Sequence, residues 1–389
     1  MAKTLDSGTL MVQGARTSSL HIVRTLRLAF GAVILLGATL FFLGTSWDIQ
    51  WHTYIGRDRT LIPPHIIMLF GITLCGLSAL STVLIETFWA RQNAQIAQGS
   101  TQFADAFHGS LGAYIVGFGA LDSAIGFPLD SYWHSLYGID VQIWAPFHVM
   151  IIAGMAAVAL GTVYMFVSIA HLAAHDSARV ARRLSHAGTL SALAVMLSIL
   201  TFLLFDAYGN MGTITVGSVT INVFAALAAL FGLYSFIVAG YALPWRWAAT
   251  SVVAVSFVLI TIVWFYVPPA TTLLLKLEQL TYRRGGPHLP VVTVDWPILF
   301  IIAAVIFDLV RYQARKRNWS ARKLLAVLAA APLVGFLPAP LLFPLYPALL
   351  VMRIGIIGSI ITLLLGYVGG YIGSWLGNRT GEVIETLEQ

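Results

Sequence analysis

Residues 28–46 carry no charged side chain, and comparable apolar runs recur to the C-terminal region. A run of roughly 20 such residues crosses the ~30 Å hydrocarbon core of a bilayer as a helix. Lipid offers backbone N–H and C=O groups no partners, so the helix must satisfy them itself. Charged residues make up 10% of the chain and hydrophobic residues 58%. A soluble domain needs about a quarter of its residues charged. The pattern therefore implies an all-α, polytopic integral membrane protein and excludes coiled coil, collagen and disordered chains.

Hydropathy places ten spans near 28–46, 62–86, 103–121, 147–170, 187–206, 218–243, 248–267, 294–310, 324–346 and 354–377. No small-residue cleavage signature follows the first run, which reads as a retained span. Lys3, Arg16, Arg24 and Arg27 precede it. Arg91, the group Arg179, Arg182 and Arg183, and Arg246 fall on the same side under this count. So does the cluster Arg311, Arg315, Lys316, Arg317, Arg322 and Lys323. By the positive-inside rule that side is cytoplasmic, the chain belongs in a bacterial or archaeal cytoplasmic membrane, and both termini are internal. The formal net charge of +6 then reports topology. Neither a zinc finger nor a phosphate loop is present, so no nucleic-acid partner is implied. Cys75, the single cysteine, excludes an internal disulfide.

The segments expected on the outer side contain an internal repeat. The first copy has Asp48, Trp51, His52, Gly56, Asp58, Pro63 and His65. The second has Asp130, Trp133, His134, Gly138, Asp140, Pro146 and His148. Both read D-x-x-W-H-x-x-x-G-x-D and close on a proline and a histidine opening a long apolar run. The second copy has one extra residue before its last histidine. Residues 1–186 thus read as two duplicated two-helix units, and 187–389 as a helical scaffold. An Asp and a His four apart share one helical face, and a second His on the returning helix can complete a compact site. A carboxylate with two imidazoles suits copper, zinc or iron. Asp58 and Asp140 would be further ligands or would accept the far ring N–H of a ligating histidine, and Trp51 and Trp133 would sit in the interfacial aromatic belt. The alternative is a helix-end anchor in which carboxylate and imidazole serve the backbone alone.

The segment from Asp48 to Ile67 resembles the metal-binding segment of the C subunit of the copper membrane monooxygenases, which include particulate methane and ammonia monooxygenases. That signature is Asp, three residues, His, twelve residues, His, and Asp48, His52 and His65 stand at this spacing. Trp51, Arg57, Asp58, Pro63 and the run His65 to Ile67 also match. The resemblance implies copper at Asp48, His52 and His65 on a periplasmic face, and a monooxygenase-like subunit acting on a small apolar substrate. Beyond the lipid bilayer, its partners would be further membrane subunits or copies of itself, and a periplasmic metal or electron donor. It covers about twenty residues, repeated once, and lacks the family's second Asn-His-His cluster and its soluble cupredoxin part.

Two other readings compete. Asp105 and His108 in the third expected span, Asp206 in the fifth and Asp308 in the eighth could form a polar path in an ion-coupled transporter. The loops could instead assemble a structural subunit. His171 and His175 read as a wet helix end. The outer loop with Tyr282 and Arg283 could pack over the first half. The Gly369, Gly373 and Gly377 ladder reads as a helix contact, internal or between subunits.

The charge pattern predicts that Arg57 and Tyr132 face the periplasm while Arg182 and Arg317 face the cytoplasm. Single-cysteine variants at these positions, in a Cys75→Ala background, should react with an impermeant thiol reagent in intact cells only at the first pair.

Overall fold

The computed structural model describes residues 7–56, 61–138, 142–175, 178–204, 212–283, 295–336 and 345–387. It is an all-α bundle with two small hairpins. In order, the elements are α1 (Ser7–Tyr54), α2 (Pro63–Ala90), α3 (Ala94–Gln98), β1 (Thr101–Phe103), β2 (Phe107–Gly109), α4 (Leu111–Tyr137), α5 (Pro146–His175) and α6 (Arg179–Leu200). They continue with β3 (Thr213–Val216), β4 (Val219–Asn222), α7 (Phe224–Ala242), α8 (Ala248–Glu278), α9 (Asp295–Lys316), α10 (Ala321–Phe336) and α11 (Leu345–Thr386). β1 pairs antiparallel with β2, and β3 with β4.

Among the described residues eight helices, not ten, are long and apolar enough to cross a membrane. The expected spans at 294–310 and 324–346 fall on α9 and α10, which do not reach that length and hydropathy over their described residues. Residues 337–344, with the prolines of the ninth expected span, lie outside the described residues. α9 nevertheless packs in the bundle. Its Phe300 and Phe307 rings meet Phe236 of α7 at 6.3 and 5.6 Å between centroids.

The third expected span is displaced. Residues 101–109 form a hairpin whose turn holds Ala104 and Asp105 at φ 50° and 55°. The helix begins only at Leu111, after Ser110, whose side chain accepts from Ala113 N–H at 3.2 Å. That N-cap satisfies a free helix donor. α4 then continues past Pro128 to Tyr137, which carries Asp130 and His134 inside the helix.

The duplicated units are physical. Asp48 and Asp130 are separated by 82 positions, His65 and His148 by 83. Those offsets also relate the packing residues. A Cβ on Gly37 of α1 would meet Gly71 O of α2 at 2.7 Å; a Cβ on Gly119 of α4 would meet Gly154 O of α5 at 2.5 Å. One turn or two nearer the repeated loop, Gly44 lies on Met68 and Gly126 on Ile151. Within each unit the helices therefore cross backbone to backbone at matched positions, as small residues permit in lipid, where association depends on close packing. The ladder in α11 works likewise inside the chain: Gly369 and Gly373 lie on Ala226 and Leu230 of α7.

The units are tied together at the end of the bundle away from the repeated loops. Arg27 donates from Nε and Nη2 to the two Glu86 carboxylate oxygens, each at 2.7 Å, and from Nη1 to Ser168 Oγ. This joins α1, α2 and α5. Both side chains are fully buried, so Arg27, which the sequence places just before the first span, is a core residue. A buried, bidentate pair is costly to break from one side. Glu86→Gln should lower unfolding free energy by about 3–5 kcal/mol. Replacing both partners together (Arg27→Met with Glu86→Leu) should cost much less. Thermal unfolding in detergent, followed by circular dichroism, reads the difference.

Candidate metal centres

Each unit brings three side chains to one point at the same end of the bundle. Asp48 and His52 lie on one face of the last turns of α1, and His65 in the first turn of α2. Pro63 and Pro64 open α2, where a missing N–H costs little. His65 Nε2 is 3.0 Å and His52 Nε2 3.4 Å from Asp48 Oδ1. In the second unit His134 Nε2 is 3.3 Å from Asp130 Oδ2, and His148 Nε2 is 3.3 Å from Asp130 Oδ1. In each triad one ligand atom per residue lies within 4.8 Å of the others. The extra residue before His148 does not remove it from its site. The shift is absorbed between Gly138 and Pro146, and α5 enters in the same register relative to Asp130 as α2 does to Asp48.

Three observations fit a cation. Two ligands about 2.1 Å from a tetrahedral ion lie about 3.4 Å apart, close to the separations seen here. Asp48 Oδ1 and Asp130 Oδ1 are shielded from solvent, and the groups that face them are imidazole nitrogens. The third observation concerns the outward ring nitrogens of the second triad. His134 Nδ1 is 3.1 Å from Gly138 O, and His148 Nδ1 is 2.7 Å from Gln142 O. A carbonyl can only accept, so each Nδ1 carries a proton, and Nε2 is the ring nitrogen left on the Asp130 side to meet a cation. This is the arrangement of a metal-ligating imidazole held by a backbone carbonyl.

The glycine of the repeat now has a reason. Gly138 sits at φ 85° and Gly56 at φ 65°, a region that glycine enters without strain. Gly138 N–H donates to His134 O at 3.0 Å, which ends α4, and its carbonyl meets the same residue's ring. Sequence reading recorded this glycine but gave it no role.

The two sites differ in surroundings. Trp51 is 1% exposed, in the core among Ile55 and Ile62, and not in an interfacial belt as expected. Trp133 is half-buried, with its ring 4.4 Å from Tyr137 and edge-on to Phe147 at 5.9 Å. Over the first site Arg283 N–H donates to Tyr54 O at 2.9 Å and its guanidinium fills the space beside Gly56. The loop after α8 thus packs on the first unit. The second site lies at an edge, next to exposed Tyr132, Leu136 and Tyr137. The sites also touch through one ring. Phe127 of α4 meets His65 edge-on at 5.7 Å, three residues before Asp130.

The remaining expected site residues do not join these triads. Asp58, Arg57, Asp140 and Asp206 lie outside the described residues. Asp105 and His108 sit in the β1–β2 hairpin at the opposite end, not in a span; His108 N–H donates to Thr87 Oγ1 at 2.9 Å and its ring meets Ser100 Oγ at 3.1 Å. Asp308 is buried and caps α8: it accepts from Thr250 N–H at 2.9 Å, Thr250 Oγ1 at 2.8 Å and Ala249 N–H at 3.4 Å. A carboxylate there satisfies free donors and complements the helix dipole. A path through Asp105, His108 and Asp308 is therefore not assembled. His171 Nδ1 is 3.0 Å from Leu387 O, a tether for the C-terminal helix.

Comparison of the chain with protein-family models, with curated proteins and with solved structures finds no match.

Gly138→Ala leaves all six ligands in place but strains the turn that orients His134. It should weaken metal binding at the second site by about 10–100-fold, the range for loss of a ligand's supporting partner, and leave the first site unchanged. Competition titration with a chromophoric chelator measures both halves, with His52→Ala present to isolate the second site and His134→Ala to isolate the first.

Proposed function

We propose that the chain is an integral membrane metalloprotein whose two Asp/His triads hold copper on the outer side of the membrane, and that it serves as a monooxygenase-like subunit for a small apolar substrate. The observation that carries the metal reading is the convergence of three ligand atoms in each triad, with the second triad's Nδ1 protons on backbone carbonyls. The copper reading rests on the Asp48, His52, His65 spacing and its resemblance to the copper membrane monooxygenases. A carboxylate with two imidazoles is equally the donor set of non-haem iron oxygenases and fits zinc, so metal analysis decides among them.

Bound copper would supply one-electron and dioxygen chemistry. The residues of the chain bind, orient and exclude. Asp48 and Asp130 each bring a negative charge that offsets the cation. Each histidine offers Nε2. Trp51, Ile55 and Ile62 keep water from the inner side of the first triad. An apolar cavity of about 580 Å³ lies between α2 and α4, lined by Ile72, Leu77, Ala120 and Leu121 among others. Its lining reaches Ile72 on α2 and Ala124, three residues before Phe127, on α4, so an apolar molecule held there would lie on the bilayer side of the triads. The outer placement rests on charge. Both triads lie at the end opposite Arg91, Arg182, Arg246 and the basic cluster that follows Asp308.

The test is metal counting on purified protein, with electron paramagnetic resonance to report nitrogen ligation. Two copper ions per chain are expected, one in His52→Ala and one in His134→Ala. The first site, less exposed at its second histidine (13% against 22%) and covered by Arg283, should release its ion to chelator more slowly. Stoichiometric iron or zinc in place of copper would reject the copper reading. Undiminished metal in an Asp48→Ala, Asp130→Ala protein would reject the sites.

A further inference from the structure

At the end of the bundle opposite the triads, α7, α9, α10 and α11 enclose a cavity of about 550 Å³. Its deep wall is apolar: Ile237, Phe307 and Leu328 are each under 5% exposed. Leu324 and Leu325 continue that wall along α10. The opening is charged. Arg311, Arg315 and Arg379 line it together with Glu382 and Glu385. Glu382 is engaged by Arg379 at 3.2 Å, and nearby Asp308 is committed to the α8 N-terminus. Lys316 at the end of α9, Arg317 in the connection, and Arg322 and Lys323 in the first turn of α10 follow. The mouth itself carries three guanidinium groups against two carboxylates, and the four further basic residues beside it in the chain tip the balance toward positive charge.

The position of Arg311 is built into the fold. Its guanidinium occupies the space that a side chain at Gly240 would fill and lies 5.7 Å from the Tyr241 ring centroid. Gly240 thus makes room for a cation at the rim of an apolar cavity. Trp375, half-exposed, stands at the same rim, where an indole marks the level of lipid headgroups.

A cavity with guanidinium groups at headgroup level and leucines running toward the bilayer centre has the polarity of an anionic amphiphile. Water or a free anion would satisfy only its mouth. We propose that this cavity is a binding site for an anionic phospholipid of the leaflet opposite the triads. Arg311 and Arg315 take the phosphodiester oxygens through charge-assisted hydrogen bonds. The acyl chains lie along Leu324, Leu325 and Leu328. The assignment is independent of the metal sites.

The full chain, reconstituted in nanodiscs of equal phosphatidylglycerol and phosphatidylcholine and released into mild detergent, should retain phosphatidylglycerol selectively by native mass spectrometry. Arg315→Gln removes an exposed charge with little risk to folding and should lower that retention about fivefold, the effect of one basic residue near an anionic surface. Leu325→Trp fills the cavity without changing charge and should lower it as well. Circular dichroism and gel filtration confirm that both variants are folded. Equal retention of the two lipids by the native chain, or unchanged selectivity in both variants, overturns the proposal. If inorganic phosphate alone raises the melting temperature as much as phosphatidylglycerol, and loses that effect in Arg315→Gln, the site takes free phosphate and the lipid assignment fails.

Discussion

The backbone contact between paired helices is the constraint from which the rest follows. Gly37 on Gly71 and Gly119 on Gly154 set each pair of helices as close as backbones allow. A side chain at any of these positions would meet a carbonyl oxygen or another backbone atom, which cannot move aside as a flexible side chain can. With the crossing fixed about three turns below the loop, the helix ends are brought together in one register. An i, i+4 Asp/His face on the outgoing helix then meets the first turn of the returning helix. The triads are consequences of helix packing as much as of loop sequence. For that reason one inserted residue in the second loop leaves His148 facing Asp130.

Duplication produced two similar triads in unlike settings. The first is enclosed: Trp47 packs edge-on against Tyr266 of α8 at 5.8 Å, Trp51 is in the core, and Arg283 covers the helix end. The second stands at the rim with aromatic residues exposed around it. Phe127 belongs to the helix of the second site and packs on a ligand of the first. A change in the position of His65 therefore has a direct mechanical route to the turn preceding Asp130. The two triads are thus in contact through one packed ring, and the first is the more enclosed.

The opposite end is organised by charge. Arg27 and Glu86 bind three helices from two units, and Asp308 caps the start of α8. Arg246 stacks over Tyr312 at 3.9 Å. Ionisable groups in apolar surroundings here serve as connectors. This differs from the expectation that intramembrane acids mark a transport path, and the reason is local: each has donors within hydrogen-bond reach that a helix end or an arginine must satisfy.

The sequence by itself determined the class of the protein and the candidate sites. Apolar runs without charge can only be helices in lipid, and imidazole and carboxylate repeated at one spacing are legible without coordinates. Hydropathy could not place the helix boundaries. Phe103 and Phe107 raise the apolarity of a hairpin as much as of a helix, and only the Ser110 cap marks where α4 begins. The sequence also named Arg27 as a flanking charge, because its partners Glu86 and Ser168 are 59 and 141 residues away. The tertiary structure alone decided three things. It decided that the extra residue before His148 is tolerated, that Gly138 holds the ring of His134, and that Asp308 caps a helix. The first and the third depend on distances between separate segments of the chain, and the second on the left-handed backbone of Gly138; hydrophobic periodicity carries no information about either.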